Sequence, residues 1–166
     1  MKRKVYAFFL TVVSFISVAQ DNQYSQFYAN KLYLNPAFAG TEICPRIILG
    51  FRDQWPGLAG EYVSYSASYD QSVNNTGIGV LFNGDDAGKG VLKTNTISAI
   101  MSPKVQLTNA YTLSFAVSAG IIQKKLDHST LVFPNQITPD GLNSVPQEIN
   151  SDVSKIIPDI STGILL

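Results

Sequence analysis

Between Tyr111 and Ile121 every second residue is apolar or aromatic. Tyr111, Leu113, Phe115, Val117, Ala119 and Ile121 alternate with Thr112, Ser114, Ala116, Ser118 and Gly120. On an α-helix, residues two apart are turned by about 200°, so these six side chains would scatter round the axis and form no stripe. On a strand they form one continuous apolar side. The segment therefore reads as a β-strand with one greasy and one hydroxylic face.

The same period recurs along the chain. Ile47, Leu49 and Phe51 oppose Arg46, Ile48, Gly50 and Arg52, and Val63, Tyr65, Ala67 and Tyr69 oppose Ser64, Ser66 and Ser68. Ile78, Val80 and Phe82 alternate with glycines, and Ile97, Ala99 and Met101 alternate with Thr96 and Ser98. Turn-forming residues separate these runs at Gln54–Gly60, Asp70–Thr76, Asn83–Gly90 and near Asn109. A long polar, proline-bearing stretch, Asp127–Pro158, reads as an extended loop before β-like composition resumes at Asp159. The expectation is an all-β chain of about six strands joined as consecutive antiparallel hairpins.

Alternation alone leaves two architectures open. In a soluble sandwich the apolar faces meet each other and the polar faces meet water; in an outer-membrane β-barrel the apolar faces meet lipid and the polar faces line the lumen. The polar faces here carry Ser, Thr and Gly, not the Lys and Glu that guard soluble sheets. Charged residues are 14% of the chain, against about 25% in typical soluble domains. With the N-terminus on the periplasmic side, the longest loop falls outside and the tightest turn inside, as barrels prefer. The barrel is the preferred reading. Six strands are fewer than the eight of the smallest single-chain barrels, so the chain reads as an N-terminal fragment of a longer barrel, or as one that shares a barrel with other chains.

The N-terminus reads as an export signal. Lys2, Arg3 and Lys4 precede the uncharged run Val5–Val18, and small residues at Ser17 and Ala19 mark a cut before Gln20. The expected organisation is a signal peptide at 1–19, an irregular lead-in or plug at 20–42 and a barrel portion at 43–166. The lead-in could fill the lumen or face periplasmic components. Without the signal, nine basic residues face twelve acidic ones, a net charge of −3, which disfavours nucleic acid as a partner. The lone Cys44 builds no disulfide framework, and with the single His128 it makes no closed metal site. Gly84–Gly90 is short of a phosphate loop by one residue and carries Asp85 and Asp86 where phosphate would be repelled. His128 beside Asp127 and Ser129 is no triad, because triads are spatial. No catalytic, cofactor or metal residues are expected, and the chain is not expected to be an enzyme.

Several motifs carry a resemblance. Tyr24-Ser25-Gln26 lies within Asp21–Asn30, followed by Asn35-Pro36-Ala37-Phe38-Ala39-Gly40-Thr41 and by Arg52-Asp53-Gln54-Trp55-Pro56-Gly57. Tyr65–Asp70, Asp86-Ala87-Gly88, Phe133–Gln136 and Pro158–Gly163 follow in order. Together they resemble the PorP/SprF family of type IX secretion proteins. The resemblance implies an outer-membrane barrel of the secretion and gliding machinery that docks to other components and aids secretion or surface attachment of cargo. It implies periplasmic lipoprotein ring components and cargo with C-terminal sorting domains as partners. It marks Tyr24, Ser25, Gln26, Asn35, Pro36, Ala37, Phe38, Gly40, Gln54, Trp55, Pro56 and Gly57 as structural or partner-binding positions. The alternative is a soluble exported β-sandwich that binds protein or carbohydrate, for which Trp55 and the Tyr-rich faces speak.

Overall fold

The computed structural model describes residues 27–58, 60–127, 137–138, 141–142 and 153–166. The expected signal peptide, Tyr24, Ser25, Gln26, His128 and Phe133–Gln136 lie outside them. Five long strands form consecutive hairpins: β1 (Arg46–Gln54), β2 (Tyr62–Val73), β3 (Thr76–Ala87), β4 (Leu92–Gln106) and β5 (Thr112–Leu126). A two-residue pair, β6 (Ile137–Thr138) and β7 (Gly141–Leu142), stands by itself, and β8 (Val153–Leu165) returns beside β5. The main sheet has six antiparallel strands in the order β1-β2-β3-β4-β5-β8. The fold is thus all-β, and the sheet is consistent with part of a β-barrel, with β1 and β8 as its two edges. Among the described residues no helix is long and apolar enough to cross a membrane, which has no bearing on crossing by strands.

The faces are distributed as lipid would require. Buried apolar residues number five among those described, against eleven buried polar ones, seven of them serines: Ser64, Ser66, Ser68, Ser98, Ser102, Ser114 and Ser118. A water-soluble core would show the opposite balance. On the other face Leu49, Phe51, Ile97, Val117, Ile121 and Ile160 are all exposed. No second sheet packs on this apolar face among the described residues. On β5 the apolar row from Leu113 to Ile121 runs about 27 Å at roughly 3.4 Å per residue. At a strand tilt of about 40° it covers roughly 20 Å of height, close to the apolar band of outer-membrane barrels. Tyr65 packs against Phe82 at 5.9 Å between ring centroids, and its hydroxyl donates to Asn95 Oδ1 at 3.2 Å.

Three expected loops are shorter than their composition suggests. β2 continues through Asp70 to Val73, and only Asn74 and Asn75 turn, Asn74 with φ of 54°. Asp70 belongs in the strand because Arg46 meets it across the β1–β2 ladder. β3 runs on to Ala87, since Asn83 and Asp85 face the buried polar side; the connection is Gly88–Val91. β8 begins at Val153, so Pro158 lies inside a strand, where an edge position tolerates its missing N–H. Pro103, in the interior strand β4, pairs with Thr76 of β3, while the β4–β5 ladder passes from Met101–Val117 to Lys104–Ser114 without change of register.

On the barrel reading the apolar face meets lipid, where a charge should cost roughly 2–4 kcal/mol near the bilayer midplane. Val117→Lys is therefore expected to lower folding stability in lipid vesicles by about that amount, measured by denaturant titration. Ser154→Lys, on the same side but near the end of its strand, should cost about 1 kcal/mol or less.

Candidate functional site

Residues 30–46 cross the buried polar face: Asn30 and Leu32 lie over β2 to β4, Asn35 reaches β8, and the chain then returns over β4, β3 and β2 to β1. The crossing is built from short capped turns. Asn30 caps the one-turn helix α1 (Lys31–Leu34), accepting from the Tyr33 N–H at 3.3 Å, and its Oδ1 also accepts from Ser68 Oγ at 3.2 Å. Asn35 is extended because proline follows it. Its side chain accepts from the Ala37 N–H at 2.9 Å, capping the 3-10 turn Pro36–Phe38, with Pro36 at the first position where no N–H is needed. The Asn35 amide also donates to the Ile164 carbonyl of β8 at 3.0 Å.

Packing holds the segment down. Leu32 and Ala39 are buried with Ile100, and Leu81 packs against them. Ala37 is fully buried and its carbonyl accepts from Ser102 Oγ at 3.4 Å. Gly40 sits at φ of 63°, and a Cβ there would lie 2.6 Å from the Gly77 Cα. A Cβ on Gly77 would in turn overlap the Ala39 carbonyl. Two backbones thus meet where neither can bear a side chain.

Ionic contacts close the crossing at the short-turn end of the sheet. The Arg46 guanidinium donates to both Asp70 oxygens, at 2.9 and 3.1 Å. Asp70, 1% exposed, also accepts from the Gly40 N–H at 2.8 Å. A carboxylate with three donors, two in a bidentate fork, is well compensated for its burial. Arg46 reaches on to the Phe38 carbonyl at 3.4 Å and to Glu42 at 3.2 Å, and Lys104 Nζ donates to the Gly40 carbonyl. Lys31 donates to Glu42 at 2.9 Å. That hydrogen bond, with the charges of Lys31 and Arg46, holds the Glu42 carboxyl below its ordinary value. Its small contribution is therefore present above the ordinary carboxylate value and is lost as pH falls through the lowered one.

Of the motif positions, the structure brings Asn35, Pro36, Ala37, Phe38 and Gly40 together in this crossing. Gln54, Trp55, Pro56 and Gly57 are not joined to them. They end β1 eight residues beyond Arg46, about 27 Å along the strand. There Gln54 accepts from Arg52 at 2.6 Å, and Trp55 (φ 59°, 58% exposed) and Gly57 (φ 81°) shape an exposed turn. Cys44 is exposed. The described residues hold no group of three metal-ligating side chains.

Sequence reading did not single out Arg46, Asp70, Gly77 or Lys104 as site residues. Asp70 carried a signal: it extends the serine face of β2 by one alternation, where a carboxylate needs a partner.

The sequence profile of one family, described as type IX secretion system membrane protein PorP/SprF, matches residues 16–166. No curated protein and no solved structure matches the chain.

Removing one partner from a buried ion pair costs about 3–5 kcal/mol. Asp70→Ala should lower stability by about that much, read by denaturant titration in detergent. Gly77→Val should instead leave the strands in place and expose the crossing. Trypsin cleavage after Lys31 is the measurement, with faster cutting in the variant than in the parent.

Proposed function

Since the chain belongs to the PorP/SprF family of type IX secretion system membrane proteins, we propose that it is a non-enzymatic outer-membrane barrel component whose lumen is stoppered by its own N-terminal lead-in. The observation that carries this reading is the inverted burial, with serines inside and Leu49, Phe51, Ile97, Val117 and Ile160 outside. Lipid is the solvent in which that arrangement is favourable.

On this reading export and signal cleavage near Ala19 and Gln20 deliver the chain to the outer membrane. The short-turn end, where the lead-in enters, faces the periplasm. That end offers exposed Leu34 and Ile43 beside the Lys31–Glu42–Arg46 charges. Such a mixed apolar and ionic patch suits docking of other secretion components, with periplasmic lipoprotein ring proteins as the partners the resemblance names. The opposite end, with Trp55 exposed, is the surface for cargo bearing C-terminal sorting domains. Roles in gliding and surface attachment follow from the same reading.

Membrane fractionation tests the localisation. The mature protein is expected in outer membranes, extractable only with detergent and migrating differently when unheated. Recovery in the soluble periplasmic fraction without detergent would overturn it. Disrupting the gene is expected to strand at least one secreted protein in the periplasm, read by comparing secreted and periplasmic proteomes.

A further inference from the structure

The polar face changes character at the long-loop end. There Lys124 of β5 lies directly opposite Lys155 of β8. By strand alternation both project to the same side as the buried Ser114 and Ser118. Directly opposed residues place their Cβ atoms about 5 Å apart, and like charges there are destabilising. Neither lysine makes an ion pair with a described residue. The nearest acid in that row is Asp85, which reaches Lys124 only across Thr94, two strands or about 10 Å away. Asp159 lies four residues further along β8.

Apolar side chains frame the two lysines on the same side. Ile122 opposes Ile157 on one flank, and Leu126 opposes Val153 on the other. On β5 they follow the small residues Ser114, Ala116, Ser118 and Gly120 of the same side. Val153 is 55% exposed and the other three are half-buried. A small hydrated anion would neutralise the charges but gain nothing from this frame. A peptide with an acidic side chain between apolar ones satisfies both.

We infer that this end of the polar face, between β5 and β8, docks an extended peptide segment carrying acidic side chains between apolar residues. The inference rests on the barrel reading, because only a barrel turns this face to a lumen, and at this end of the strands the lead-in makes none of its contacts to Asp70, Ser102 and Lys104. Lys93 and Lys125 supply an internal comparison. They are also directly opposed, but on the lipid side of the same strand ends, and Lys93 has Asp86 at 3.7 Å.

The test uses the full chain in detergent and fluorescence anisotropy of a labelled five-residue peptide, Val-Asp-Leu-Asp-Ile. Its Val-Asn-Leu-Asn-Ile analogue and inorganic phosphate serve as competitors. K124Q/K155Q is expected to weaken binding at least tenfold, and K93Q/K125Q to change it less than twofold. The Asn analogue should compete at least tenfold more weakly than the unlabelled Asp peptide, and millimolar phosphate should displace little. Unchanged binding in K124Q/K155Q, equal competition by the Asn analogue, or full displacement by phosphate would each overturn the site. Val117→Cys in a Cys44→Ser background separates the two readings. A site failure with Val117→Cys still shielded from an aqueous thiol reagent by detergent sinks the peptide site alone. Rapid aqueous labelling there sinks the barrel reading and the site with it.

Discussion

A strand immersed in hydrocarbon has no water to satisfy its N–H and C=O groups, so every one of them must find a neighbouring strand. The long hairpins meet that demand between β1 and β8, and the outer edges of those two strands are unpaired among the described residues. The ladders keep one register throughout each pair, even past Pro103 and Pro158, where a proline withholds a donor. Unbroken register also keeps the faces pure, since a slip of one residue would turn every serine toward lipid. Backbone pairing and the sorting of side chains are one constraint here.

A polar concavity left empty would hold water, and this one is instead crossed by the chain's own lead-in. Asp70 is the point at which the crossing and the sheet become one structure. It joins β1 through Arg46 and the lead-in through the Gly40 amide. Gly77 and Gly163 provide the room. Side chains at either would meet the lead-in backbone or Asn35. The serines beneath serve as donors to its carbonyls and side chains, as with Ser102 to Ala37 and Ser68 to Asn30.

The strands and their faces were legible because alternation is a local signal, and Tyr111–Ile121 shows it without interruption. Strand ends were less so. Asp70, Asn83 and Asp85 look like turn residues one by one, yet on the polar side of a barrel a buried carboxylate or amide is an ordinary strand residue. The motif Asn35–Gly40 was visible, and the capping role of Asn35 follows from Asn-Pro chemistry. Its partners were not visible: Asp70 is 30 residues from Gly40, and Ile164 is 129 from Asn35. No short-range pattern encodes such pairings. The apolar frame round Lys124 and Lys155 was hidden for the same reason, since it appears only when β5 and β8 are set side by side.

The hydrogen bond from Asn35 to Ile164 orders the assembly of the molecule in time. Its acceptor lies in β8, 129 residues along the chain, and contacts so distant in sequence close late because the intervening loop entropy must first be overcome. The earlier lead-in contacts, to Asp70, Gly77 and Ser102, need only β2 to β4. The lead-in can therefore seat on the first hairpins and act as a template round which the later strands curl. The lead-in is then a scaffold for the sheet before it is a fixture upon it.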